Sequence, residues 1–209
     1  MNTELLSKVK QIKQSFRQMM DGSVAQSMRD KGVNYSLNWG ATLPRLREMA
    51  DELKASLQEP AMYTLYDLSL ALWKENVREC KILATMIMPP DEILPEVVDI
   101  WMEQTETQEI AEQAAMNLYR HLPFAAEKAY QWIASDRPIN QLCGFHVLSR
   151  LFMNGQEPNE RGINEFIDQA LTALHGAELM VRKAAYNSLM RFSEIGLVYQ
   201  RIAQNALRQ

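Results

Sequence analysis

The chain has 209 residues, 47% apolar and 23% charged, a balance that excludes intrinsic disorder; its 8 glycines and 8 prolines are too few for an all-β fold of hairpins and tight turns. Cys80 and Cys143 form neither a disulfide framework nor a metal-ligand spacing, so a reducing, cytoplasmic compartment is expected, and no apolar run is long enough to span a bilayer. The net charge of −4 is uneven: residues 1–50 hold eight Lys/Arg against four Asp/Glu, residues 51–112 four against fourteen, and residues 178–209 five against two. A nucleic-acid surface on such a chain must be local, since the acidic residues are expected on solvated outer helix faces.

Helical periodicity dominates. Residues 3–20 place Leu5, Leu6, Val9, Ile12, Phe16, Met19 and Met20 at three- and four-residue intervals. Their charges, set at the same spacing, are not those expected of a signal peptide. Asp21-Gly22-Ser23 ends this helix and caps a short one over 24–30. Residues 32–40 read as loop. Thr42 caps a helix with Pro44 in its first turn and Leu46, Met49, Ala50, Leu53 and Leu57 on its apolar face, stopped by Pro60. Helices follow over 62–72 and 77–88, and Pro89-Pro90-Asp91 breaks the chain. Further helices are expected over 94–101, 108–121 (capped by Thr107), 124–134, 139–153, 163–174, 179–192 and 197–207.

A register recurs along these helices. Cys80, Cys143 and Ala184 superpose within three similar segments, and Ala114 centres a weaker fourth. A small residue in the first turn lets the next helix approach closely. Helix pairs repeating every 30 to 40 residues, with Val-Arg before the small position, are the mark of HEAT-type α-solenoids. The expected fold is all-α: a right-handed α-α superhelix of about six antiparallel HEAT-like helix pairs, forming one domain over residues 1–209.

Three ordered blocks carry a family resemblance. Asn38-Trp39-Gly40-Ala41-Thr42-Leu43-Pro44-Arg45-Leu46-Arg47 is similar to the segment before the first long helix of HEAT-like DNA alkylation-repair proteins. Leu70-Ala71-Leu72-Trp73 with Arg78-Glu79-Cys80-Lys81-Ile82-Leu83-Ala84 resembles the next signature, and Val181-Arg182-Lys183-Ala184-Ala185 a third. The resemblance implies double-stranded DNA held along a basic concave face, and in active members excision of alkylated purines. Their chemistry uses a tryptophan with an aspartate four residues later, an arginine one repeat on, and a late tryptophan. Carried onto this chain, the first pair falls on Gln108 and Glu112, the arginine near Gln141 or Leu142, and the last tryptophan on Asn187, beside Tyr186. Glu112 keeps the charge, whereas Gln108, Gln141 and Asn187 depart from the pattern. The resemblance implies no cofactor or metal.

The residues themselves leave alternatives. Glu109 and Glu112 share a helix face, either as groove carboxylates or as acidic residues favoured at a helix N-terminus. Arg78, Arg182, Lys183 and Arg191 form either a phosphate-contacting ladder or contacts between repeats. Trp39, Trp73, Trp101 and Trp132 either stack on bases or staple helix pairs. His121, His146 and His175 read as isolated. Three functions follow: a divergent DNA-binding relative with weak or no glycosylase activity, an active alkylpurine glycosylase using Glu112, or a non-enzymatic scaffold whose acidic centre meets a basic protein.

Overall fold

The computed structural model describes residues 3–30, 35–56 and 63–208. Gly32, Leu57, Pro60 and Met62, on which parts of the sequence reading rest, lie outside the described residues. Among the described residues there are twelve α-helices, one 3-10 turn and no strand, and no helix is long and apolar enough to cross a membrane. The helices gather into two compact units, residues 1–101 and 102–209.

The first unit holds α1 (Thr3–Gln18), α2 (Gly22–Asp30), α3 (Leu43–Ser56), α4 (Leu65–Trp73) and α5 (Arg78–Ile87), with most of α6 (Pro95–Glu103). The first helix buries Leu5, Val9, Ile12 and Phe16 of the stripe its spacing predicts, whereas Leu6 is exposed and the helix ends at Gln18, before Met19 and the exposed Met20. Helix α4 starts later than the apolar pattern suggests because Thr64 caps it. The Thr64 hydroxyl accepts from the Asp67 amide at 3.1 Å, and the Asp67 carboxylate accepts from the Thr64 amide at 3.0 Å. Trp73 and Trp101 stack 4.2 Å apart and nearly parallel, and Lys81 Nζ lies 4.5 Å from the Trp73 ring centroid.

The loop before α3 is clamped onto the start of α5. Glu79 Oε1 accepts from the amides of Trp39 (3.2 Å), Gly40 (3.0 Å) and Ala41 (3.2 Å). Arg78 Nη1 donates to that same oxygen at 3.2 Å and to the Ala41 carbonyl at 2.9 Å. Gly40 sits at φ +76°, and a Cβ there would meet the Asp21 carbonyl at 2.2 Å, so only glycine fits. Two blocks that look separate in the sequence are therefore halves of one buried polar cluster.

The second unit has two layers. Helices α7 (Gln108–Asn117), α9 (Pro138–Met153) and α11 (Leu179–Ser193) pack side by side as an inner layer. Helices α8 (Ala125–Ile133), α10 (Glu160–His175) and α12 (Leu197–Ala206) cover one side of it. Phe145, Phe152, Phe166, Phe192 and Tyr199 form one aromatic cluster of edge-to-face and tilted pairs, with centroids 5.0 to 6.4 Å apart. The small-residue register is buried throughout: Cys80, Ala114 and Cys143 are 0% exposed and Ala184 is 3%. Cys143 Sγ lies 3.6 Å from the Ala111 carbonyl of the neighbouring helix. At Gly144 a Cβ would meet the Ala129 carbonyl at 2.8 Å, so α8 and α9 approach closely there.

Helix α7 is shorter than its pattern predicts. Leu118 leaves helical geometry (φ −126°, ψ −62°) and a 3-10 turn, Tyr119–His121, follows. Successive side chains of a straight helix point about 100° apart. The break lets Leu118 and Tyr119 both turn inward, each to 0% exposure. Helix α10 begins early, at Glu160, because the Asn159 side chain accepts from the Gly162 amide at 2.8 Å.

Candidate nucleic-acid interface

The side of the inner layer left uncovered by α8, α10 and α12 carries mostly polar residues at four-residue spacing, about 6 Å per step along a helix. Helix α7 presents Gln108, Glu112 and Met116, and Arg120 follows in the 3-10 turn. Helix α9 presents His146 and Arg150, and α11 presents Lys183, Asn187 and Arg191. All are half-buried or exposed. The face has two chemically distinct ends.

At one end a carboxylate meets an imidazole. Gln108 Nε2 donates to Glu112 Oε1 at 2.7 Å, and His146 Nε2 of α9 lies 3.7 Å from the same oxygen, an electrostatic rather than a hydrogen-bonding separation. The His146 imidazole, and after it the Gln108 amide, hold the Glu112 carboxyl below the usual range against the opposing effect of partial burial. Glu112 is thus an anion at neutral pH in a half-buried, oriented position. Such a group can stabilise positive charge developing on a sugar.

At the other end arginines converge. Arg120, Arg150 and Arg191 come from three neighbouring inner segments, and Arg120 and Arg191 lie near enough to Arg150 to act on its charge. Arg150 is half-buried, and its guanidinium is pushed below its usual range by burial and then by the charges of Arg120 and Arg191. Arg191 donates to Glu194 at 2.7 Å, whereas Arg150 contacts the Met153 sulfur at 3.7 Å and pairs with no carboxylate among the described residues. Cations held together against their own repulsion form a receptive surface for a phosphate chain. Beside them Lys183, Tyr186 and Asn187 border a shallow depression of about 420 Å³ that also touches Leu174 and Arg182.

The structure redistributes the sequence candidates. Arg78 is not on this face: it is 1% exposed and engaged by Ala41 and Glu79, so no phosphate reaches it. Arg182 Nη1 donates to the Gly176 and Ala177 carbonyls at 2.8 and 3.1 Å, so it is engaged by the turn that joins α10 to α11. Gln141 stands in the first turn of α9 and donates back to the Ser135 carbonyl at 2.8 Å. Glu109 sits half-buried in the first turn of α7, next to the Thr107 cap. Lys183 and Asn187 are exposed, and Tyr186 is 48% exposed. All four tryptophans are buried, at 6% exposure or less, so none is available to stack on a base. Cys80 and Cys143 are free and buried, and burial pushes the Cys80 thiol up to about 12 and the Cys143 thiol up as well, which makes both inert packing groups.

Sequence reasoning missed Arg120, Arg150 and the partnership of His146. His146 is not isolated, because it faces Glu112 across the gap between α7 and α9. A signal for the arginines was present: Arg150 and Arg191 each lie seven residues after the small positions Cys143 and Ala184. Arg120 lies one residue short of that offset from Ala114, where the helix tightens into the 3-10 turn.

Layered helix pairs with a buried small-residue register define a HEAT-like repeat protein. The family described as DNA alkylation repair enzyme matches residues 12–195, and the chain belongs to that family. A solved structure described as "A new family of proteins related to the HEAT-like repeat DNA glycosylases with affinity for branched DNA structures" shares the fold with a TM-score of 0.80, at 14% identity, over 95% of this chain and 81% of that one. No curated protein matches the chain.

Proposed function

We propose that this protein binds double-stranded DNA through the open face of α7, α9 and α11, with weak or no glycosylase activity. The convergence of Arg120, Arg150 and Arg191 carries this reading. Three cations at one end of the face, with Lys183 on the same side of α11, suit a run of phosphates and supply little base information. The affinity for branched DNA stated for the structural relative is consistent with recognition of backbone and shape. Low activity is supported by the positions where active family members carry two tryptophans and an arginine, which here hold Gln108, Asn187 and, near Gln141, no cation. Binding is tested with labelled linear duplex at two salt concentrations. Affinity that falls steeply with salt supports the reading, and salt-insensitive or absent binding overturns it.

A second reading has its own observation. The ordered Gln108–Glu112–His146 group places a charged carboxylate on the proposed DNA face, so an active glycosylase would use Glu112 to stabilise the cationic sugar. Methylated duplex and the Glu112→Gln variant decide between them. Release of free alkylated purine that disappears in the variant makes the protein an enzyme, and no release from the wild type leaves a DNA-binding relative.

A further inference from the structure

We infer that the exposed basic face of α1 is a second seat for a DNA backbone, taking a separate duplex arm when the DNA is branched; the inference rests on the DNA-binding function proposed above. Lys10, Lys13 and Arg17 recur at three- and four-residue spacing and share one side of the helix. They line a groove of about 680 Å³ together with Gln14, Gln18 and Glu75. Glu75 fixes one of the three: its carboxylate holds the Lys13 ammonium at the wall of the groove. Lys10 and Arg17 are exposed, and among the described residues neither pairs with a carboxylate. The glutamines add amide donors of the kind that contact phosphate oxygens.

Dimensions and charge agree with that occupant. Lys10 and Arg17 are seven residues apart, roughly 10 Å along the helix. Laid along a duplex axis, that covers the rise of about three phosphates of one DNA strand, roughly 3.4 Å each. Helix α1 carries Lys8, Lys10, Lys13 and Arg17 against Glu4 alone, whereas residues 51–101 hold ten Asp/Glu against four Lys/Arg. That acidic stretch repels a polyanion, whereas α1 presents the excess of positive charge that attracts one.

A linear duplex needs only the arginines of the second unit. A branched DNA offers two backbone segments diverging from one point, so a second seat turns its second contact into an intramolecular one and raises affinity without altering the first. Discrimination between branched and linear DNA then resides in α1, not in the arginine row.

The experiment compares a four-way junction with linear duplex of equal length, for wild type and for the double variant Lys10→Gln/Arg17→Gln. Both sites are exposed and leave the Lys13–Glu75 pair in place. The expected result is a wild-type preference for the junction of roughly tenfold or more. In the variant that preference is lost and the junction salt slope falls by about two, while linear binding stays as it was. A junction affinity unmoved by the double change overturns the inference. So does an equal loss on both DNAs, which would put α1 on the path of a single duplex. A wild type that binds linear duplex without preferring the junction overturns this inference alone, and one that binds neither overturns the proposed function with it.

Discussion

Arg78 and Arg150 are the same residue type on two helices of the HEAT-like repeat, and their surroundings give them opposite uses. Arg78 opens α5 in the first unit, where a carboxylate follows it in the chain and a loop folds over both. Arg150 lies near the end of α9 in the second unit, where two more arginines stand alongside. The first is consumed by the fold, and the second remains available to a ligand. A cation's role in a repeat protein is thus decided by what the adjoining segments aim at it, rather than by its place in a motif.

Removing Arg78 should produce the largest change. Arg78→Ala leaves Glu79 buried with a charge and one donor fewer, and loss of about 3–5 kcal/mol is expected in urea unfolding. DNA affinity per folded molecule should stay unchanged. Gly144→Ala comes next. Its Cβ meets the α8 backbone at 2.8 Å, so a destabilisation of about 1–3 kcal/mol is expected from the same measurement. A neutral result would show that α8 and α9 separate at little cost.

Arg150→Gln sharpens the comparison from the other side. Stability should hold or rise slightly, since a repelled, half-buried charge is removed. The salt slope of duplex binding should fall by about one, the mark of a lost phosphate contact. An unchanged slope would remove Arg150 from the interface. The smallest effect is expected at Glu112. Its depressed pKa means that the charged form is favoured in the folded state, so its contribution is present above the ordinary carboxylate value and is lost as pH falls through the folded one. For a pair this exposed the contribution is about 1 kcal/mol or less. Wild type and Glu112→Gln should therefore differ most in stability near neutral pH and converge in acid. A constant difference down to low pH would place the stabilisation elsewhere.

The helices were legible because their signals are local. Thr107 and Pro138 stand where helices begin, and apolar spacing marks the buried stripe of α1. The small-residue register was legible because helix approach demands the same volume at each repeat, as Cys80, Cys143 and Ala184 show. The break at Leu118 was not, because two adjacent inward side chains override the helical period only once a core exists to receive them. The Thr64–Asp67 box was readable and passed over in favour of an apolar run. The site was less legible than the fold. Glu112 and His146 lie 34 residues apart and meet only when α7 and α9 pack. Arg78 looked like its repeat equivalents, and its burial depends on residues 38–41, far upstream.

The Glu79 clamp also makes a statement about time. Trp39, Gly40 and Ala41 lie outside any helix, where backbone amides ordinarily trade their hydrogens with solvent quickly. Here three consecutive amides donate directly to one buried oxygen. They can exchange only when the loop lifts from α5, and that opening also strips Arg78 of its partner. In a deuterium-exchange experiment these loop amides should be as slow as the centre of a packed helix, so the protection of an irregular segment reports the free energy of lifting the loop from α5.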